Sequence, residues 1–320
     1  MDTAEEGQSG KDPSTYHAPV LCDEVLELLM TDREGLYVDG TTGGGGHTDR
    51  LCRSLEGKGE IVCMDADDDA LRAAEARLRT CHRVRFIRAN FRALRSTVMT
   101  LTTRRPAGIL LDLGVSSHQI DTTARGFSFR ADAPLDMRFD RRQSLSAFDV
   151  VNAYDEARLA DILYRFGEER ASRAIARRIV ESRPLSTTSD LAFAIQRVVG
   201  QRFLVKSLAR IFQAIRIEVN QELDALSAAL REGVGMLAPG GRIAVIAYHS
   251  LEDRIAKNTF RELSATSIPS GNKLVPDTVT TPLLRTITKH PVLPSPSERK
   301  NNPRARSAKL RVAERTTFDC

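Results

Sequence analysis

A glycine-saturated turn that follows a short apolar run is the feature that most constrains the fold of this chain. Leu36, Tyr37 and Val38 are typical of a buried strand, Asp39 follows, and four consecutive glycines precede His47, where a helix should begin. Glycine is favoured where the backbone adopts positive φ or approaches a ligand closely. A glycine run can also be only a flexible linker, but its position between a strand and a helix favours a ligand-binding turn.

Apolar runs of strand length alternate with amphipathic segments around this turn. Strands are predicted at 36–39, 61–64, 84–87 and 108–112, and helices at 47–56, 67–79 and 93–102. This βαβα order is typical of an α/β fold with a mostly parallel sheet and helices on both faces.

The alternation stops after strand four. Helical patterns without a convincing strand fill residues 116–201, and one long helix is predicted at 208–233. A fifth strand follows at 242–247, then a loop at 264–282 and an antiparallel pair formed by 283–288 and 307–313. We therefore expect a disordered segment at 1–15, an α/β domain from 16–117 and 206–320, and a helical insertion at 118–205.

Cysteine usage and hydropathy exclude several classes of protein. The five cysteines form no CxxC pair, which argues against a disulfide framework or a metal site and suits a reducing cytoplasm. No run approaches the roughly 20 apolar residues of a membrane span. The polar segment 1–12 has no apolar core of a secretory signal. These features predict a cytoplasmic protein.

Positive charge is concentrated near the carboxyl terminus. The net charge is +5, but 285–315 holds nine Lys or Arg and two Glu, so this segment carries +7 and the rest of the chain −2. Such a segment is typical of proteins that bind a polyanion, most simply nucleic acid. Two basic stripes in the helical region add to this hypothesis, although a solvated face is the usual explanation of such stripes: Arg170, Arg173 and Arg177, and Arg202, Lys206 and Arg210.

Polar residues follow several of the predicted strands. Because ligands bind outside the carboxyl ends of parallel strands, these residues are candidates for one site: Asp39 with Gly43–His47, then Asp65, Asn90 with Phe91, Asp112, and Tyr248 with His249. An acid about 20 residues beyond a glycine turn can bind ribose hydroxyls, which suits Asp65. Acids around the pocket disfavour a pyrophosphate and favour the cationic sulfonium of S-adenosylmethionine, with a dinucleotide as the alternative.

Structural explanations exist for most of these residues. Asp39 and Asp65 could each cap the helix that follows, Phe91 could belong to the core, and His249 could be a structural histidine. For Asp112 a functional role is favoured, because a carboxylate at the end of a buried strand is costly unless it is paired or functional.

Several longer motifs resemble one enzyme family, the bacterial small-subunit ribosomal RNA cytosine-N4 methyltransferases of the RsmH or MraW type. The clearest are 39–47, 109–117, 125–129, 134–138, 212–220, 249–254 and 302–306. The resemblance implies a class I methyltransferase domain with a helical domain inserted after strand four. It also implies S-adenosylmethionine contacts at Gly45, Gly46, His47, Asp65, Phe91, Asp112 and Gln119, with Asp39 beside them.

The reaction that the resemblance implies is methylation of the exocyclic N4 of a cytidine. This amine is a weak nucleophile, so it must be held in line with the methyl group and its hydrogen must find an acceptor. The candidate residues are Asp112, Ser116, Ser117, Asp136 and His249. The expected partner is small-subunit rRNA or the small ribosomal subunit, and a homodimer is one assembly left open. The alternatives are another nucleic-acid or protein amine as acceptor, or a non-catalytic RNA-binding assembly factor.

Overall fold

A seven-stranded sheet forms the centre of the protein, whose computed structural model describes residues 19–268, 270–271 and 276–317. Its strands are β1 (Leu36–Asp39), β2 (Glu60–Asp65), β3 (Val84–Arg88), β4 (Pro106–Asp112), β5 (Arg242–Ala247), β8 (Leu284–Thr286) and β9 (Lys309–Arg315). They lie in the order β3-β2-β1-β4-β5-β9-β8; β9 pairs antiparallel with both β5 and β8, and the other neighbouring pairs are parallel. The predicted Rossmann-like, mostly parallel sheet and its closing antiparallel pair are confirmed; the predicted disorder of 1–15 lies outside the described residues.

Thirteen α-helices lie within the described part of the chain. They are α1 (Cys22–Leu29), α2 (Gly46–Ser54), α3 (Asp68–Arg77), α4 (Leu94–Leu101), α5 (Ser117–Asp121), α6 (Ala147–Ala153), α7 (Glu156–Arg165), α8 (Ser172–Glu181), α9 (Thr188–Gln196), α10 (Gln201–Asn220), α11 (Glu222–Met236), α12 (Ser250–Leu263) and α13 (Pro296–Asn301). None of the helices in this part is both long and apolar enough to cross a membrane.

Helices cover both faces of the sheet, which explains why its strands are continuous apolar runs. Side chains alternate along β1: Val38 packs with Leu94 of α4 and Leu230 of α11 on one face. Tyr37 packs with Val25 of α1 on the opposite face. The polar residues that follow each strand are therefore held at one edge of a rigid sheet.

The helices α6–α10 enclose a third hydrophobic core, separate from the two cores on the sheet. The core begins at Leu135 and extends along α10 through Ile211 and Ile215 to Val219. No strand of the sheet comes from this region, as the sequence predicted. The insertion boundary at 205 stays a prediction, and the core of these helices continues beyond it.

The prediction of one long helix at 208–233 is wrong. The chain breaks at Gln221, which adopts a left-handed conformation with φ of 49° between α10 and α11. Asn220 stabilises the break: its Nδ2 donates to the Met137 carbonyl at 2.8 Å and its Oδ1 accepts from the Phe139 amide at 2.8 Å. Apolar periodicity continues across the break because both helices bury one face. The pattern therefore cannot reveal that one residue between them is left-handed.

Two smaller expectations also need correction. Cys52 of α2 and Cys81 form a disulfide, with their Cα atoms 6.5 Å apart. No sequence pattern indicates this pair, because the two cysteines are 29 residues apart and are brought together only by the fold. The predicted loop at 264–282 contains a short antiparallel pair, β6 (Ser267–Ile268) with β7 (Thr278–Val279).

Candidate functional site

A cavity of about 350 Å³ lies outside the carboxyl ends of the parallel strands. Its lining includes the glycine turn after β1, the residues that follow β2, β4 and β5, and parts of α10, α11 and the C-terminal region. This is the edge at which open α/β sheets bind ligands. A cavity of this size fits one cofactor-sized molecule.

The glycine turn is joined to the end of β2 through Asp65. The Gly43 amide donates to Asp65 Oδ2 at 2.8 Å, and the Asp67 amide donates to Oδ1 at 2.9 Å. Burial raises the pKa of Asp65 to about 6. Gly43, Gly46, His47 and Asp65 all line the cavity, so a carboxylate of fixed orientation lies beside exposed backbone of the turn.

Asp39 and Gly45 support this turn from behind and do not line the cavity. Asp39 is buried and accepts hydrogen bonds from the Thr48 hydroxyl at 2.7 Å and the Thr41 amide at 3.2 Å. Gly45 has φ of +76°, and a Cβ there would lie 3.2 Å from the Cα of Ala74. Glycine at this position therefore permits both the left-handed backbone and the close packing of α2 on α3.

Asp112 lies at the centre of the cavity's polar contacts. Its Oδ1 accepts from the Tyr248 hydroxyl at 2.8 Å, and its Oδ2 lies 3.4 Å from His47 Nε2. Burial alone would lower the pKa of His47, but its contacts with Asp112 and Cys22 raise it to about 10. His47 is therefore a buried cation at neutral pH whose counter-charge is Asp112, which gives Asp112 the partner that a carboxylate at a strand end requires.

Phe91 and Gln119 line the cavity on the side of β2 and β3. Gln119 Nε2 donates to Asp67 Oδ2 at 2.8 Å, and its Oε1 accepts from the Ser116 amide at 2.9 Å. Ser116 Oγ in turn accepts from the Gln119 amide at 3.2 Å, so these two residues form the capping box of α5. Ser116 therefore lines the cavity, and its hydroxyl serves as a helix cap.

The remaining candidates differ in their distance from the cavity. His249 lines it, but both ring nitrogens face its own helix: Nδ1 accepts from the Glu252 amide at 3.4 Å and Nε2 lies 3.0 Å from Glu252 Oε1. Asp136 does not line the cavity and is paired with Arg138, whose Nε lies 2.6 Å from Asp136 Oδ1. Ser117 is the first residue of α5, and its side chain lies outside the described part of the structure.

Sequence reasoning assigned no role to Arg216, Glu222 and Glu252, which are among the charged residues that line the cavity. Arg216 and Glu222 form a two-bonded ion pair of 2.8 and 2.9 Å across the helix break. Burial raises the pKa of Glu222. Burial would also raise the pKa of Glu252, but His249 and Arg216 lower it. All three lie within or beside the motifs 212–220 and 249–254. They could have been found as charged residues at positions where the helical pattern predicts burial.

Arg125 joins the helical region to the cavity and was also missed. Its side chain is 1% exposed, and its Nη1 lies 2.8 Å from Asp67 Oδ2, the oxygen that Gln119 contacts. Nη2 donates to the carbonyls of Arg138 and Phe139 at 3.0 and 3.1 Å. Phe139 itself lines the cavity. One buried guanidinium therefore holds the start of α3 and the loop at 138–139 together.

Known proteins resemble this chain over nearly its whole length. A family model described as the MraW methylase family matches residues 14–316. A ribosomal RNA small subunit methyltransferase H from Acaryochloris marina is 45% identical over 310 residues, which cover 95% of this chain and 96% of the relative. The enzyme of the same name from Nostoc sp. is 44% identical over 309 residues, covering 95% and 94%.

Among solved structures, an rRNA methylase from Streptococcus thermophilus aligns with a TM-score of 0.40 and 11% identity, covering 92% of this chain and 94% of that one. The family match extends over nearly all of the residues that carry the fold and the cavity. The chain therefore belongs to the MraW methylase family.

Proposed function

We propose that this protein transfers the methyl group of S-adenosylmethionine to the exocyclic N4 of a cytidine in small-subunit ribosomal RNA. Family membership makes it an S-adenosylmethionine-dependent rRNA methyltransferase. The observation that carries the proposal is the position of Asp112, between the glycine turn and Asp65 on one side and Tyr248 on the other. A methyltransferase needs a group that accepts a hydrogen bond from the amine, placed between the cofactor and the nucleotide to be methylated.

The residues around the glycine turn fit S-adenosylmethionine. Asp65, held by two backbone amides, would accept hydrogen bonds from the ribose hydroxyls. Phe91 offers a ring to the adenine and Gln119 lies on the same side of the cavity. The start of α2 at Gly46 and His47 suits a carboxylate, because helix N-termini favour anions, while Asp112 suits the cationic end. When bound, the cofactor supplies an activated methyl group.

Cofactor affinity should rise with pH through about 6, because the pKa of Asp65 is about 6 and only its carboxylate accepts from both ribose hydroxyls. Affinity should be about tenfold weaker at pH 5 than at pH 7, since each unit below the pKa reduces the ionised fraction about tenfold. Isothermal titration with S-adenosylmethionine between pH 5 and 7 measures this. Asp65→Asn should bind weakly with no such dependence, and a flat profile in the wild type would show that ionisation of Asp65 is not required.

On the acceptor side, Asp112 is the residue that we assign to the amine. Its carboxylate would accept a hydrogen bond from the N4 amine as the nitrogen becomes tetrahedral, and would take the released proton. The Tyr248 hydroxyl fixes the orientation of this carboxylate. Ser116 and His249 are assigned supporting roles, because each is engaged in capping a helix. Asp136 is assigned to the insertion, where it pairs with Arg138.

The nucleoside content of rRNA from a deletion strain tests the function. Mass spectrometry of small-subunit rRNA should show loss of one N4-methylcytidine modification and its return when the wild-type protein is supplied. If the modification survives the deletion, the assignment of the acceptor is wrong. A cytoplasmic location follows from this proposal, because the ribosomal substrate is there. Light scattering of the purified protein decides whether it forms the homodimer that the sequence left open.

The basic stripe on α10 is proposed to contact RNA phosphates. Arg202 and Lys206 are exposed, whereas Arg210 lies 3.7 Å from the buried Glu169 carboxylate. Arg202→Glu with Lys206→Glu should therefore weaken binding to small ribosomal subunits about tenfold or more, and more strongly at low salt. The matched control is Lys257→Glu with Arg261→Glu, two exposed positions of the same spacing on α12. Equal losses of binding in the two double variants would show that the stripe is only a solvent-exposed face of α10.

A further inference from the structure

The nine cations of 285–315 divide into two groups in the structure. Four are engaged internally: Arg285 with Glu314, Lys309 and Arg311 with Asp253, and Arg315 with the Val234 carbonyl. Four of the remaining five lie on one segment, which consists of α13 and the 3-10 helix Pro303–Ser307, hereafter the basic rim. They are Arg299, Lys300, Arg304 and Arg306. The exposed positive charge of 285–315 that is not neutralised by nearby acids therefore lies mainly on the basic rim.

The basic rim is fixed against the rest of the protein. Glu298 Oε1 accepts from the Leu21 amide at 2.8 Å, which joins α13 to the residue before α1. Asn302 is buried, and its Oδ1 accepts from the Arg304 amide at 3.2 Å. Ala305 is fully buried in the core on that face of the sheet. The backbone at Arg304 is therefore anchored on both sides, so the fold sets the point from which its side chain extends.

Arg304 is the cation of the basic rim that lines the cavity. Its side chain is 27% exposed, and its one ion pair among the described residues is a 3.9 Å contact with Asp121, whose side chain is 67% exposed. A long, exposed contact of this kind contributes little energy. Burial lowers the pKa of Arg304, but an arginine remains charged at neutral pH. The cavity therefore has a partly desolvated cation without a strong counter-charge.

The position of Arg304 places it on the acceptor side. Most residues assigned to the cofactor lie at or just beyond the ends of β1, β2 and β3, with Gln119 of α5 on the same side of the cavity, and Asp112 ends β4. Tyr248, which follows β5, lines the cavity together with Arg304 and is one of the groups that act on the pKa of Arg304. The acceptor nucleotide must reach Asp112 from this side if the cofactor occupies the other.

We propose that Arg304 binds the RNA phosphate that flanks the target nucleotide and so holds the nucleotide at the cavity once its base has left the stack. This inference rests on the proposed function. An unstacked base is held only if its backbone is fixed as well, and the planar fork of arginine matches two phosphate oxygens. Arg304 is thus a positioning residue for the acceptor, and the exposed cations of the basic rim extend the same contact along the backbone.

The test is methyl transfer to small ribosomal subunits from a deletion strain, measured over a range of salt concentrations for Arg304→Ala and Arg304→Lys. Arg304→Ala should lower kcat/KM about 10- to 100-fold, mainly through KM, because a charge-assisted hydrogen bond is lost. The slope of log kcat/KM against log salt should become shallower by about 0.7, the value for one phosphate contact to a single strand. Arg304→Lys should restore the slope and part of kcat/KM.

The matched control is Arg53→Ala. Arg53 is an exposed arginine in the last turn of α2 that does not line the cavity, and its removal should change neither quantity. S-adenosylmethionine affinity, measured by isothermal titration, should be unchanged in Arg304→Ala, which also verifies that the variant is folded. Unchanged kcat/KM and slope would overturn the proposal. A loss confined to cofactor affinity would overturn it as well, since it would place Arg304 at the cofactor's carboxylate. An inactive wild type would instead overturn the proposed function, and this inference with it.

Discussion

Asp112→Asn should reduce S-adenosylmethionine affinity about 10- to 100-fold and methyl transfer by about 100-fold or more. The substitution keeps the size of the side chain but removes the charge that faces His47 at 3.4 Å and the bound cation. Loss of a charged hydrogen bond is worth about 1.5–3 kcal/mol, and loss of a proton acceptor costs about 10²–10⁴-fold in rate. Isothermal titration and a methyl-transfer assay measure the two effects separately.

The pKa of His47 provides a second, independent measurement of the effect of Asp112→Asn. In the wild type its ring should stay protonated through neutral pH, because Asp112 and Cys22 raise its pKa to about 10 against the effect of burial. In Asp112→Asn the pKa should fall, and the ring signals in an NMR titration should then shift at lower pH. Asp161→Asn, a carboxylate on the exposed surface of α7, is the control and should change nothing. Unchanged cofactor affinity in Asp112→Asn would mean that Asp112 is only structural.

Arg125→Met should produce the largest loss of stability, about 3–5 kcal/mol. Removal of the guanidinium leaves the Asp67 carboxylate buried without its cation, and breaking one side of a buried ion pair costs this amount. It also leaves the carbonyls of Arg138 and Phe139 without their donor. Urea unfolding of the wild type and the variant gives the difference in free energy of unfolding.

Two further variants identify the cause of that loss. Arg125→Met with Asp67→Asn should be less destabilised than the sum of the single variants, because the second change removes the unpaired charge. Arg165→Met, which removes an exposed arginine paired with Asp161 on α7, should cost less than about 1 kcal/mol. Equal losses for Arg125→Met and Arg165→Met would contradict the assigned role of the buried network.

The sheet and the strand-end residues could be predicted because they depend on local patterns. β1 and β5 match their predicted bounds, since each is an apolar run that ends at a polar residue or turn. Asp65, Phe91 and Asp112 were expected to lie together because parallel strands bring their carboxyl ends to one edge, and all three line the cavity. The periodicity of the insertion likewise predicted helices without strands.

The features that could not be predicted from the sequence depend on contacts between residues far apart in the chain. The break at Gln221 is stabilised by Asn220 bonds to the loop at 137–139, more than 80 residues earlier. The pairing of Arg125 with Asp67 joins the insertion to α3, and no spacing rule connects these positions. The ring of His249 is oriented toward its own helix by Glu252, and the sequence does not distinguish this glutamate from other acids on the helix. Such contacts decide which candidate faces the ligand.

The most direct test of the central claim is methyl transfer in a purified system. Small subunits from a deletion strain are incubated with the protein and S-adenosylmethionine carrying a deuterated methyl group, and their nucleosides are analysed by mass spectrometry. The account predicts that the label appears on N4-methylcytidine with the wild-type protein and is nearly absent with Asp112→Asn. Label on another nucleoside, or equal labelling by the two proteins, would contradict it.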